Sequence, residues 1–412
     1  MAHGLAVGIS SLVLLASCGP GAATTQPVDI TGNGLVTGFR GGPDRLGVAS
    51  GSVASPPSEA WSIDTGDHVI PSPVPVARDV VVVGFDGTLR RVDGTGRSTW
   101  EFDLGSAEAT PVVAGDVVVA MASSGRLVAV AFTGGGLAWE IDLGARGRSS
   151  PTVVGSMVVV GVDTEVVALD VTTGAVRWRA DLGAATGSSP AVATPPATTV
   201  PASPAAPTGT ASPAGSSVAR SGIVVIGTAD NEVVGLSLAD GSRRWSVDLG
   251  PAPDGTFIVA SGVVSAPALA EETAYVGSTT GRVVALDVST GAERWRVDVG
   301  APVYASVAVG DEVVHLTTAA GSAMALDRRS GNIVWEVAIG KPSYSSPLLA
   351  TDGLVVTTEE GIIAGLDPAG GGVLWEVVIG RDGDYMASSP AITDAGVLVV
   401  GSNDGRIVAL AP

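Results

Sequence analysis

Eight tryptophans divide this chain, at Trp61, Trp100, Trp139, Trp178, Trp245, Trp295, Trp335 and Trp375. The intervals between them are 39, 39, 39, 67, 50, 40 and 40 residues, so one period of 39–40 is broken twice by insertions. A glycine stands four residues before each tryptophan except the first: Gly96, Gly135, Gly174, Gly241, Gly291, Gly331 and Gly371. The clearest copies are ALDVTTGAVRWRADLG (168–183), ALDVSTGAERWRVDVG (285–300) and ALDRRSGNIVWEVAIG (325–340). A supersecondary unit repeated at this period suits a propeller blade of four short antiparallel strands.

Each unit parses the same way. A Ser-Pro introduces the first strand and a Val-rich run forms the second. A turn such as Phe85-Asp86-Gly87 leads to the third, and a Thr-Gly turn leads to the fourth, which carries the Trp. Gly, Asp and Asn between β-branched runs are hairpin signals. The second and third strands are nearly all apolar, as expected of sheets covered on both faces. One large ring per unit fills the wedge between neighbouring sheets, so the tryptophans are read as structural.

The units run over 72–105, 110–144, 150–183, 189–250, 266–300, 306–340, 346–380 and 389–412. The last has no Trp strand, while residues 59–66 (EAWSIDTG) are a Trp strand without a unit. The two chain ends therefore complete one blade. The expected fold is an all-β, eight-bladed propeller of four-stranded antiparallel blades, closed by the N-terminal strand joining the C-terminal blade. Such a closure leaves no gap at which the ring could open.

Charge excludes one class of partner. The net charge is −19 and only 15% of residues are charged, with no Lys/Arg cluster. Nucleic acid binding needs a cationic footprint, so none is expected. The single cysteine, Cys18, follows an apolar stretch at 5–15 that is too short for a comfortable membrane span. Leu15-Ala16-Ser17-Cys18 resembles the bacterial lipobox, whose Cys receives diacylglycerol and becomes the new N-terminus. An ordinary secretory signal with an incidental Cys is the alternative; the region ahead of the apolar stretch carries His3 and no Lys or Arg. With Cys18 lipidated no thiol is left for a disulfide, a metal or a nucleophile, and the acyl chains anchor the protein without spanning the membrane. The domain reading is a signal peptide at 1–17, a tether and lead-in at 18–58 and the propeller at 59–412. Localisation is expected to be extracytoplasmic, lipid-anchored to a bacterial membrane on the periplasmic or outer cell-surface side.

The tandem motif A-L-D-x-x-[TS]-G-x-x-x-W resembles the PQQ-like β-propeller repeat over residues 59–412. FRGGPDRLG (39–47) is similar to a lead-in found before the first blade of such proteins, and Phe39 and Arg45 are placed to dock it; residues 48–58 read as linker. With the lipobox and eight blades, the chain is similar to the BamB-type outer-membrane protein assembly lipoproteins. That resemblance implies a non-catalytic scaffold, without cofactor, binding envelope protein as a monomer within a complex. The same repeat builds quinoprotein alcohol dehydrogenases and parts of bacterial sensors. An extracytoplasmic propeller sensing a small ligand or quinone is thus an alternative, and a PQQ-dependent dehydrogenase a third. The dehydrogenases cover their cofactor with a disulfide between adjacent cysteines and hold calcium with a carboxylate and an amide beside an Asp base. Asp382, Asp384 and Asn403 are isolated candidates for such a site, and no adjacent cysteines exist. His3, His68 and His315 make no zinc site, and acidic turns such as Asp86-Gly87 and Asn403-Asp404-Gly405 are favoured by hairpin geometry without a metal.

Topology assigns a candidate binding face. Loops from the fourth strand to the next first strand share a face with the second-to-third loops. They carry His68, Glu108, Arg146, Arg148, Tyr304, Lys341, Tyr344, Arg381, Asp384 and Tyr385, which are expected to ring a central funnel for a partner or ligand. Residues 251–262 enlarge one of these loops. Residues 194–219, uncharged and rich in Pro, Ser, Thr and Ala, cannot bury a core and are expected to be disordered. They interrupt the fourth unit between its first and second strands, on the face opposite the funnel, together with the tether.

Overall fold

The computed structural model describes residues 36–53, 55–194, 222–251, 262–379 and 388–412. Cys18, Arg381, Asp382, Asp384, Tyr385 and nearly all of the 194–219 insertion lie outside the described residues. The described chain forms eight sheets. Blade 1 holds Val74–Val76, Asp79–Val82, Thr88–Val92 and Ser98–Asp103; the other blades follow in chain order, each a meander from inner to outer strand. The eighth is composite: Ala391–Ile392, Leu398–Gly401 and Arg406–Ala411 are completed by Ser58–Asp64. These ends pair antiparallel, with Asp64 opposite Arg406 and Ser58 opposite Ala411.

The burial patterns explain the fold. In the second strand of blade 5, Thr273–Gly277, every residue is buried, because both faces of an inner sheet meet neighbouring blades. The fourth strands alternate instead, and the Trp is the one buried side chain of Glu293–Asp298 and of its equivalents in blades 1 to 7. The core is a series of wedges. Trp335 of blade 6 packs with Leu354, Val356 and Leu366 of blade 7. Trp61 packs with Ile407 and Ala409 of blade 8 and with Val80 and Val92 of blade 1.

Two positions of the repeat motif gain a physical reason. The motif Asp caps the turn between third and fourth strands: Asp287 Oδ1 accepts from the N–H groups of Ser289 and Thr290 and from both hydroxyls. Burial works against the Asp287 carboxylate, but these bonds and Arg294 hold it below the ordinary carboxylate range. The motif Gly faces the Trp of the preceding blade. At Gly135 a Cβ would stand 2.9 Å from the Trp100 ring, and at Gly174 2.6 Å from that of Trp139. Both glycines also have positive φ, +67° and +71°, so backbone conformation and close approach demand glycine together.

The segment ahead of the ring is part of it. Val36–Thr37 adds a strand to the inner edge of blade 2. The backbone then crosses the channel, accepting N–H groups from the first strands of four further blades. Pro43 takes Val192, Asp44 takes Leu269, Leu46 takes Val309 and Gly47 takes Leu349. Residues 48–53, expected to be linker, continue this docking on blade 7: Ala49 N–H reaches Leu349, and Val53 N–H reaches Asp352 at 2.7 Å. The segment lies towards the turns between first and second strands, opposite the funnel face. The first strand of blade 4 ends at Ala193 and its second begins at Ile223, so the insertion also joins those strands. Among the described residues no helix is long and apolar enough to cross a membrane.

Candidate functional site

A belt of hydroxyls defines the inner wall. The residue before each first strand donates its backbone N–H to the Ser or Thr at the same position in the next blade. Ser72 reaches Thr110, Thr110 reaches Ser150, and Ser150 reaches Ser189. Ala266 reaches Ser306, Ser306 reaches Ser346, Ser346 reaches Ser389, and Ser389 returns to Ser72 at 3.1 Å. The circle fails only between blades 4 and 5, where Ala266 has no hydroxyl; there Ser188 Oγ donates to the Ser265 carbonyl at 2.8 Å. The belt fixes the channel on which the loops of the binding face are mounted.

On that face the structure brings some of the sequence candidates together. Glu108 accepts from Arg146 at 2.8 Å and from Arg148 at 3.0 Å, across the mouths of blades 2 and 3. Both arginines are more than half exposed, so each pair contributes at most about 1 kcal/mol and chiefly orients the rim. Tyr304 and Tyr344, from adjacent loops, meet with ring centroids 5.3 Å apart and planes tilted by 50°. Burial, then the nearby Glu359 carboxylate, pushes the Tyr344 hydroxyl up from its ordinary pKa. Lys341 pairs with Glu360 at 2.7 Å, a bond that raises its pKa. His68 contacts the Asn403 carbonyl through Nδ1 and lies edge-on to Phe85 at 6.3 Å. Fourth-to-first and second-to-third loops thus share this face. Arg381, Asp384 and Tyr385 lie outside the described residues.

His315 belongs to the core. It is 1% exposed, its Nε2 is 3.1 Å from the Pro368 carbonyl, and its ring leans on Trp335. Burial lowers its pKa. Among the described residues, no group of three or more His, Cys, Asp or Glu could hold a metal ion.

Two features go beyond the sequence reading. The first extends the docking expected of Arg45 to a pair of guanidinium groups in the channel, Arg45 buried and Arg40 half-buried. Arg45 donates to the carbonyls of Pro190 at 2.6 Å, Ser150 at 2.9 Å and Phe39 at 3.1 Å, and to the Thr152 hydroxyl. Arg40 donates to those of Val307, Pro347 and Arg45. Burial brings both pKa values down to about 9, still well above neutral pH. The second is on the rim of the ring. Fourth strands of blades 3 to 5 expose arginines, such as Arg179, Arg244 and Arg296. Those of blades 1, 2 and 8 have no Lys or Arg but two acidic residues each, whereas those of blades 6 and 7, Ile333–Ala338 and Val373–Val378, have no Lys or Arg and a single Glu each. The latter two expose Ile333 (49%), Val334 (52%), Val373 (61%), Leu374 (45%) and Val378 (63%) on neighbouring outer edges. The signal was present in the contrast between ERWRVD and VLWEVV.

Comparison with known proteins follows the same architecture. A family model described as outer membrane protein assembly factor BamB matches residues 52–150, 85–260 and 258–412. No curated protein matches the chain in sequence. Among solved structures, BamB from Moraxella catarrhalis superposes with a TM-score of 0.65 at 18% identity, covering 87% of this chain and 100% of its own. Quinohemoprotein alcohol dehydrogenase from Comamonas testosteroni superposes with 0.68 at 13% identity, over 89% of this chain and 79% of its own. A europium-containing methanol dehydrogenase gives 0.68 at 14%, over 90% and 96%. At these identities the likeness shows the fold. Of the candidates for a quinone–metal centre, Asp382 and Asp384 lie outside the described residues, and Asn403 has its backbone carbonyl in contact with His68. The matched residues, the composite eighth blade and the tryptophan wedges together place the chain in the PQQ-repeat propeller family represented by the outer membrane protein assembly factor BamB.

Proposed function

We propose that this protein is a non-catalytic propeller acting as a protein-binding scaffold of the bacterial cell envelope, BamB-like, and held to the membrane by a lipid on Cys18. The observation that carries this reading is the pair of apolar outer edges on blades 6 and 7. An exposed strand edge presents unpaired N–H and C=O groups, and proteins normally guard it with charge. Blades 3 to 5 do so with arginine and blades 1 and 2 with two exposed acids each, such as Glu101 and Glu140; blades 6 and 7 keep one exposed Glu each among β-branched and leucine side chains. The fitting occupant is an extended segment of a protein partner added as a further strand. Glu336 and Glu376, also exposed on these edges, favour a segment with basic residues beside its apolar ones. The funnel, with its tyrosine pair and its Arg-Glu-Arg cluster, supplies a second recognition surface rich in residues that anchor interfaces.

Photo-crosslinking residues placed at Val334 and Leu374, with controls at Arg179 and Arg244, test the reading in intact cells. Discrete protein adducts from the first pair alone support it. Equal adducts from both pairs, or none, contradict it. Titration with PQQ and calcium, followed by absorbance, addresses the quinone-binding and dehydrogenase alternatives: the scaffold reading expects no bound chromophore.

A further inference from the structure

The lead-in segment does not fill the channel evenly. It docks on blades 2 and 4 to 7 through backbone bonds, and in front of blades 8 and 1 it leaves a cavity of about 330 Å³. The cavity is lined by Pro73 and Pro390, by Ile392 and Val48, and at its rim by Asp394. It opens on the face of the first-to-second-strand turns, away from the funnel.

The repeat indicates what this space is built to hold. In four blades the residue after the belt hydroxyl directs its carbonyl to an arginine in the channel. In blades 3 and 4 those carbonyls, of Pro151 and Pro190, take the Arg45 guanidinium. In blades 6 and 7 those of Val307 and Pro347 take Arg40. The same position in blades 8 and 1 is Pro390 and Pro73, and both line the cavity. Among the described residues no side chain donates to either carbonyl, and no Lys or Arg pairs with the exposed Asp394 carboxylate. Proline has no N–H, so these edges offer acceptors without a donor. Arg40 also borders the cavity, with its donors taken up by the carbonyls of Val307, Pro347 and Arg45. Arg40 and Arg45 already coexist in this channel on the same terms. A planar group with several donors in a fixed fork matches such acceptors better than a point charge.

We infer that the cavity between the lead-in segment and blades 8 and 1 is a binding site for a guanidinium group, seated on the Pro73 and Pro390 carbonyls and paired with Asp394. The group could be presented by a free small molecule or by an arginine side chain of a partner, and the two sources share this chemistry.

Isothermal titration of the full chain tests it, with N-acetyl-arginine amide, its uncharged citrulline counterpart, and a Gly-Arg-Gly peptide as probes. The arginine amide should bind saturably and the citrulline amide at least about tenfold more weakly, given the strength of charge-assisted bonds. Asp394→Asn should weaken the arginine amide by a similar factor. Val48→Trp, at a position 46% exposed, should close the cavity and abolish binding with the thermal melt unchanged. Tighter binding of the peptide than of the amide assigns the site to a partner's side chain; the reverse assigns it to a free metabolite. Equal binding of arginine and citrulline amides overturns the inference. So does binding indifferent to both substitutions, or no saturable heat up to roughly 10 mM.

Discussion

The indole N–H of Trp375 donates to the backbone carbonyl of Val53, 322 positions away in sequence. In the preceding blades the same indole reaches the chain at the end of the next blade's third strand. Trp139 reaches Val171 at 2.8 Å, and Trp335 reaches Pro368 at 3.0 Å. In blade 8 no turn joins the third strand to the fourth, because the fourth, Ser58–Asp64, comes from the N-terminal side. The lead-in segment supplies the missing acceptor and the missing apolar contact. Trp375→Phe should therefore cost about 1 kcal/mol, the value of one buried hydrogen bond. Trp375→Ala should cost about 3–5 kcal/mol for the emptied wedge. Chemical denaturation of both variants checks the two values.

Gly135 and Gly134 are adjacent and should respond differently. A Cβ at Gly135 meets the Trp100 ring at a positive φ, whereas a Cβ at Gly134 meets nothing within 4 Å. Gly135→Ala should destabilise by about 1–3 kcal/mol through overpacking and backbone strain. Gly134→Ala should stay within about 0.5 kcal/mol of the wild type. Urea melts of the two variants side by side measure the difference.

The interrupted hydroxyl belt can be repaired. Ala266→Ser should give the Ser189 N–H the acceptor that its seven counterparts have, and raise stability by about 0.5–1.5 kcal/mol. Ser306→Ala should lower it by a similar amount, because it opens a second gap. Calorimetric melts of both variants provide the test.

His315 sets a pH dependence. Its folded pKa lies below the ordinary histidine value, so between the two values the unfolded chain binds the extra proton. Its contribution to stability is then intact above about pH 6.5 and declines as pH falls from there towards the folded value. The equivalent position in blade 7 is Val355. His315→Val should flatten that part of the stability curve and remove a buried Nδ1 that has no partner among the described residues. Denaturation midpoints between about pH 5 and 8 decide it; an unchanged slope contradicts it.

The ring was legible because its evidence is periodic: tryptophans at a constant interval, and an orphan Trp strand at Trp61 that the last unit lacks. The glycines were legible as turn residues. Their second task, clearing room for the preceding blade's Trp, is a contact between blades that no single repeat displays. The docking of Phe39 and Arg45 could be proposed from their residue types. Residues 48–53 could not be distinguished from linker, because they bind through backbone atoms and small side chains, which leave no compositional mark. The hydroxyl belt was hidden for a related reason: Ser-Pro reads as the start of a strand, and only the closed circle shows where each hydroxyl points.

Everything rests on the pairing of Ser58–Asp64 with Arg406–Ala411. The most direct measurement is disulfide formation in Asp64→Cys/Arg406→Cys, with Cys18 replaced by Ser, because those two positions face each other across the final ladder. An intramolecular disulfide should form under mild oxidation, give a compact species on non-reducing gels and leave the melt as stable as the parent or more so. Two thiols that stay free in the folded protein, or that link only between molecules, would show that the ends do not meet.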